Sequence, residues 1–300
     1  MRAAEIVSTL HPTCATTRSG QMLRLVENGH ALQLYWVPIF SQLSEQGVPR
    51  WLATFEVTTD AMQLGEPGDA FRATFTDRDQ IAICELLGIS RTTGKLADLA
   101  WSVSPIKLTP HTFGNTKKEL AIMATAPVML AHSRAIDAEL AARAGEDLTL
   151  APTVLRRPVG KDWCASNLNR QTGPDSRQAT NYGWHLSKGS SEHKAITMPA
   201  VSVLQPYAAK HPWTHADYSQ TATFVRPAVK VLDLRTGQIT ETNLRDLNAD
   251  ATLAKLWNHD GTIREAVPET ETLTAARWVE YGAIGLATLG ALAAIIKATS

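Results

Sequence analysis

Cysteine is nearly absent: Cys14, Cys84 and Cys164 are three in 300 residues, an odd number at wide spacings. That excludes a disulfide framework and paired Cys-x-x-Cys zinc clips, and a reducing compartment is the simplest setting. Neither sign of charge dominates, because 29 Lys plus Arg balance 29 Asp plus Glu and no basic block stands out. A phosphate backbone finds no electrostatic footprint here, and nucleic-acid binding is not expected. The start, Met1-Arg2-Ala3-Ala4-Glu5, has no long apolar run behind it. No secretory signal is read there, and synthesis in the cytoplasm is the expectation. Also missing are an internal repeat, heptads, a glycine-rich phosphate loop and a Gly-x-Ser-x-Gly elbow.

What is present builds a core, with 44% hydrophobic and 19% charged residues. Ala31 to Phe40 and Trp51 to Thr58 are apolar, β-branched or aromatic runs, predicting two strands separated by the polar stretch Ser41 to Arg50. Thr76 with Asp79, then Ile81, Ile83, Leu86 and Leu87, then Gly88, give a cap, an apolar helical set and a stop. Thr116 with Glu119 repeats the capping signature, and a helix after Pro127 carries Met129, Leu130, Ile136 and Leu140 towards Gly145. From Val201 the texture returns to strands, with Val229 to Leu234 closed by a turn at Thr236-Gly237. Asn243 to Trp257 reads as a closing helix. Strands and helices are segregated, so the expectation is α+β, one globular domain over 1–264.

Beyond it, residues 265–277 are acidic, polar and Pro-bearing, as a linker would be, and 278–300 predict a C-terminal apolar helix. Its uncharged run YGAIGLATLGALAAII, Tyr281 to Ile296, falls short of the roughly 18 to 20 residues of a membrane span. Ala283, Ala287 and Ala291 form a small-residue stripe that permits close helix contact. The expectation is membrane association or self-association into a homo-oligomer through this helix.

Reactive groups concentrate in one stretch, His211-Pro212-Trp213-Thr214-His215-Ala216-Asp217-Tyr218-Ser219. Imidazole titrates nearest neutral pH and serves both as general base and as metal ligand. His211 and His215 would share one side of a helix, but Pro212 pushes His211 out of the helical region, leaving a first turn or a loop. With His185 as a third nitrogen and Asp217 as an oxygen, zinc or iron is a candidate cofactor; the alternative is loop hydrogen bonds around a core Trp213. Ser219 is a candidate nucleophile if His211 or His185, with Asp162 or Asp217, activates it. Cys164, in Asp162-Trp163-Cys164-Ala165-Ser166, superficially resembles the cysteine of papain-like cell-wall peptidases, though a buried free cysteine is the commoner fate. Lys161 would hold an anionic group, and Tyr182, Trp184 and Trp213 would line a cleft on which a sugar ring or peptide stacks.

Thr59-Asp60, Leu64-Gly65, Asp69-Ala70-Phe71-Arg72, Lys95-Leu96-Ala97-Asp98 with Trp101, and Lys107-Leu108 open an ordered series of motifs. Gly160-Lys161-Asp162, Asn181-Tyr182-Gly183-Trp184-His185, Gln205-Pro206, His211, Asp217-Tyr218-Ser219 and Leu253-Ala254 to Asp260-Gly261 continue it. In this order, over about two thirds of the chain, the series resembles a family of bacterial and bacteriophage proteins recognised by motif and without an assigned activity. Many members of that family read Asp-Tyr-Ser-His-Gly followed by an Arg, where this chain has Gln220, Thr221 and Thr223. A mechanism that needs the additional His or Arg therefore does not transfer. The resemblance implies a bacterial or phage origin and a site around these motifs.

The expected function is a hydrolase of cell-envelope polymer, peptidoglycan-like, in which His211, Asp217 and His185 act as acid, base or metal ligands and Ser219 and Lys161 assist. The alternative is a non-enzymatic virion or membrane-associated assembly protein. A shared cleft favours the first, and burial of the same side chains in satisfied hydrogen bonds favours the second.

Overall fold

A computed structural model describes residues 1–113, 125–143, 151–173 and 176–264. Two helices that the sequence reading did not foresee, α1 (Ala3–Thr9) and α2 (Ala15–Glu27), lead into a long hairpin, β1 (Trp36–Glu45) and β2 (Val48–Thr58). The polar stretch between the expected strands is mostly strand itself. Its turn is only Gln46-Gly47, at φ 53° and 81°, and the strands run on to Glu45 opposite Val48. Two positive φ values in succession are the hairpin turn that matches strand twist, and half-exposed strands carry polar residues freely on the outer face.

A short hairpin follows, β3 (Gln63–Glu66) with β4 (Asp69–Arg72), and then α3 (Asp77–Leu87). This helix is built as its sequence predicts: the Thr76 hydroxyl accepts from the Asp79 amide at 3.1 Å, and Gly88 closes it at φ 63°. Next come β5 (Ser90–Arg91), α4 (Gly94–Val103), β6 (Ile106–Lys107) and α5 (Ala126–Ala142), the last burying Met129, Ile136 and Leu140. Strands β7 (Arg156–Arg157), β8 (Lys161–Cys164), β9 (Arg170–Gly173), β10 (Ser176–Leu186) and β11 (Ser202–Pro212) precede β12 (Phe224–Val225), β13 (Ala228–Asp233) and β14 (Ile239–Asn243).

The expected closing helix is divided. Asn243 caps α6 (Leu244–Ala249), and the Asp250 carboxylate then accepts from the Thr252 and Leu253 amides at 2.8 and 2.9 Å, starting a separate 3-10 turn at Leu253–Leu256. An acid that captures amides just past the helix competes with its continuation.

The fold is α+β. One antiparallel sheet runs β14-β13-β2-β12-β5, with β1 also on β2, and a second runs β11-β10-β8, with β9 also on β10. The first sheet packs Phe55, Val57, Val225 and Val231 against Leu96 and Ala100 of α4 and against Leu244, Leu247 and Trp257. A second core joins Ile6, Met22, Phe71, Phe75 and Met129 to Trp184, Tyr218 and Phe224, so the helices at the chain's start close over the residues that carry the motifs. The Thr116/Glu119 cap, the linker 265–277 and the apolar helix 278–300 lie outside the described residues. Among the described residues no helix is long and apolar enough to cross a membrane.

Candidate functional site

Strand β10 places the motif residues on its two faces. At Gly183 and Trp184 the backbone takes φ 125° and 55°. A regular strand alternates sides strictly, and these two residues interrupt the alternation. Tyr182 and His185 therefore reach the same side while Trp184 turns to the other.

On the first side the Asp98 carboxylate, fully buried on α4, is the hub. His185 Nε2 lies 2.7 Å and Tyr182 Oη 2.5 Å from its Oδ1, and Thr197 donates its amide and hydroxyl to Oδ2, each at 2.7 Å. The His185 ring stacks on Trp101 with centroids 5.5 Å apart, and Lys107 Nζ caps that indole at 4.6 Å. Burial alone would raise the Asp98 carboxyl, but the bonds from His185 and Tyr182 and the Thr197 amide hold it below its ordinary value. Burial and the adjacent carboxylate drive the Tyr182 phenol far up. His185 is 3% exposed and Tyr182 is fully buried, so neither offers a free face to a ligand.

On the other side the loop from Trp213 to Thr223 lies over β8 and β11. Asp217 is its hub: Lys161 Nζ sits 3.1 Å from Oδ2, and Ser219 donates its amide at 2.7 Å and its hydroxyl at 2.5 Å to Oδ1. The Gln220 side-chain oxygen accepts the Asp217 amide at 2.5 Å, and the Lys161 amide donates to the Ser219 carbonyl at 2.7 Å, which fastens the loop to β8. His215 Nε2 stands 3.9 Å from Asp217 Oδ2. Its ring stacks on His211, centroids 4.7 Å apart and planes 13° apart, and Trp163 meets both rings edge-on. His211 is a strand residue and not a helical one, as Pro212 requires. The His215 amide donates to the Pro212 carbonyl at 2.9 Å, and that tight turn brings the two imidazoles face to face.

Burial opposes ionisation of Asp217, yet Lys161, the neighbouring His215 and the Ser219 hydrogen bonds outweigh it and keep the carboxyl far below its usual range. His211 is pushed down to about 4 by burial, with His215 and Lys161 adding to the effect. The Lys161 ammonium also lies 5.3 Å from the centre of the Trp184 ring, which touches Tyr218 and the buried His132. Burial above all lowers His132 to about 3.

Of the residues expected at one site, Lys161, Trp184, His211, Asp217 and Ser219 come together, and His185 and Tyr182 do not. Ala179 is opposite His211 and His185 is opposite Val203. At about 3.3 Å per residue this separates the two histidines by roughly 20 Å along the strand. The expected zinc or iron site on His185, His211 and Asp217 is accordingly corrected: the three do not converge, and among the described residues no group of three His, Cys, Asp or Glu side chains is placed to hold a metal ion. Ser219 is fully buried with its hydroxyl spent on Asp217. Cys164 is likewise fully buried, its thiol driven up by burial. Trp213 is half-buried at the loop's edge, where its backbone joins Arg177 and Arg78.

Asp98, His132 and Arg18 were not singled out for a role from the sequence. Asp98 had a signal: a lone acid among Leu96, Ala97, Ala100 and Trp101 on one short helix asks for a buried partner. Comparison with protein-family models, with curated proteins and with solved structures finds no match for this chain.

Proposed function

We propose that the protein is a hydrolase of bacterial or phage origin acting on cell-envelope polymer, with His215 as the acid/base group beside Asp217 and His211 stacked against it. The observation that carries this reading is the stacked imidazole pair, partly open to solvent, beside a buried carboxylate held ionised by Lys161 and Ser219. Such a carboxylate stabilises the imidazolium that forms when His215 takes a proton from water. The water oxygen attacks the scissile carbon, and the proton passes to the leaving group. His211, lowered to about 4, is neutral at pH 7 and stacks on His215, so it places no second positive charge beside the imidazolium. Lys161 keeps Asp217 charged and in place, and Ser219 is a positioning residue. The test is release of soluble fragments from isolated peptidoglycan sacculi by the wild-type protein and not by His215→Ala.

A second reading, a virion or membrane-associated assembly protein, is favoured by the hydrogen bonds that already occupy Ser219, Tyr182 and His185. It predicts self-association through Tyr281 to Ile296. Light scattering of the full chain and of a chain ending at residue 277 separates the two, since only the assembly role requires the mass to fall on truncation.

A further inference from the structure

The loop at Asp217 is overloaded with donors. Arg18, on α2, is 1% exposed, yet its guanidinium makes one long bond, Nη2 to the Ala216 carbonyl at 3.5 Å. Nε and Nη1 are buried without a hydrogen-bond partner. Asp217 acts on this guanidinium only through its charge, because its two oxygens are already hydrogen-bonded, Oδ1 by Ser219 and Oδ2 by Lys161, and neither takes a hydrogen bond from Arg18. A guanidinium does not shed its proton to escape burial, so its charge needs an acidic partner. Gln220, fully buried two residues past the Ala216–Asp217 pair's neighbour Tyr218, adds a further unpaired donor, Nε2, while its oxygen holds the Asp217 amide. Thr16 Oγ1 donates to the Thr214 carbonyl at 3.4 Å, so α2 is pressed directly against the loop that carries His215. His215, whose side chain is 33% exposed, is the open edge of this arrangement.

We propose that Arg18, with Lys161 and Gln220, forms a binding site for an oxyanion, a carboxylate or a phosphate group of the ligand, entered past His215. One cation, Lys161, neutralises Asp217, and the second, Arg18, is left to pair with the ligand. A guanidinium fork matches the two oxygens of either group. The proposal rests on the reading of this loop as a ligand site and names the charge that the ligand carries there. Cell-envelope polymers offer both sources, peptide carboxylates and phosphodiesters.

The test is thermal unfolding of the full chain at low ionic strength with inorganic phosphate, with acetate, and with chloride at matched ionic strength. A ligand that binds only the folded state raises Tm saturably. The expected result is a saturable rise with phosphate or acetate beyond that with chloride, and whichever anion gives it identifies the source. In Arg18→Met the affinity falls at least tenfold while Tm without ligand stays equal or rises, because an apolar group of similar volume replaces an uncompensated charge. A purely structural arginine would behave oppositely, with Tm falling on substitution. No rise with either anion, or an undiminished rise in Arg18→Met, overturns the proposal. Should that variant not fold, the Arg18 Nε–H resonance of the wild-type protein decides: a saturable shift with the anion supports the site, and an unmoved resonance overturns it. These readouts need no turnover, so a protein that binds the anion and leaves sacculi intact refutes the hydrolase reading alone.

Discussion

Tyr182 and His185 meet on one oxygen of Asp98, with ring centroids 5.5 Å apart, although they are three residues apart on a strand. Regular alternation would send them to opposite faces. The positive φ of Gly183 and Trp184 shifts the phase, so that one kink gives the Asp98 side its phenol and imidazole and gives the Lys161 side its indole.

Gly183 is therefore not replaceable by Ala without strain. A Cβ there would meet the Gly160 carbonyl oxygen at an ordinary 3.7 Å, so the cost is the backbone conformation at φ 125° and not a clash. Gly183→Ala is expected to lose about 1–3 kcal/mol, read as a lower urea midpoint at unchanged slope. An unchanged midpoint refutes the kink as a strained position.

Asp98→Asn keeps the shape and removes the charge that Tyr182, His185 and Thr197 address. With the loss of charge-assisted bonds in a buried site, the expected cost is about 3 kcal/mol by chemical denaturation. A variant as stable as wild type would mean that the Asp98 cluster contributes nothing to folding.

Acid sensitivity follows from the two depressed imidazoles. His211 at about 4 and His132 at about 3 stand below the ordinary value of 6.5, burial being the first cause in each. Below pH about 6.5 the unfolded chain binds protons that the folded chain refuses, so the stability present above that pH is lost as pH falls towards 4. The slope is at most about 1.4 kcal/mol per pH unit for each imidazole. The depressed carboxyls of Asp98 and Asp217 extend the loss below their ordinary range. His132→Gln is expected to flatten the profile between pH 6 and 4. A profile that coincides with wild type contradicts the assignment.

The capped helix at Thr76 and Gly88, the strand at Val229 to Leu234 with its closing turn and the α+β class were legible because each rests on local chemistry: a cap, a period, a turn. The N-terminal helices were not, since α1 and α2 owe their place to Ile6 and Met22 packing on Phe71 and Phe75 far along the chain. The site was half legible. The concentration of His211, His215, Asp217 and Ser219 is real, and the turn at Pro212 that stacks the imidazoles follows from the proline. What misled was Tyr-Gly-Trp-His, read as one motif serving one site, whereas the glycine divides it between two. Asp98 and Arg18 were missed because their partners are distant in sequence.

Ser219 serves as an internal check on chemistry. Fully buried and bonded to Asp217, it is expected to matter for stability, at about 1–2 kcal/mol for Ser219→Ala, and to leave turnover within tenfold of wild type. Loss of all turnover in a folded Ser219→Ala would restore it as a nucleophile.

The most direct measurement is the rate at which soluble fragments leave isolated sacculi with wild-type protein, His215→Ala and Ser219→Ala side by side, each shown to be folded. The account predicts release by wild type, release within tenfold of it by Ser219→Ala, and a loss of at least about a hundredfold in His215→Ala, the scale of a general acid/base group. Release by His215→Ala at the wild-type rate, or no release by wild type above buffer, would contradict it.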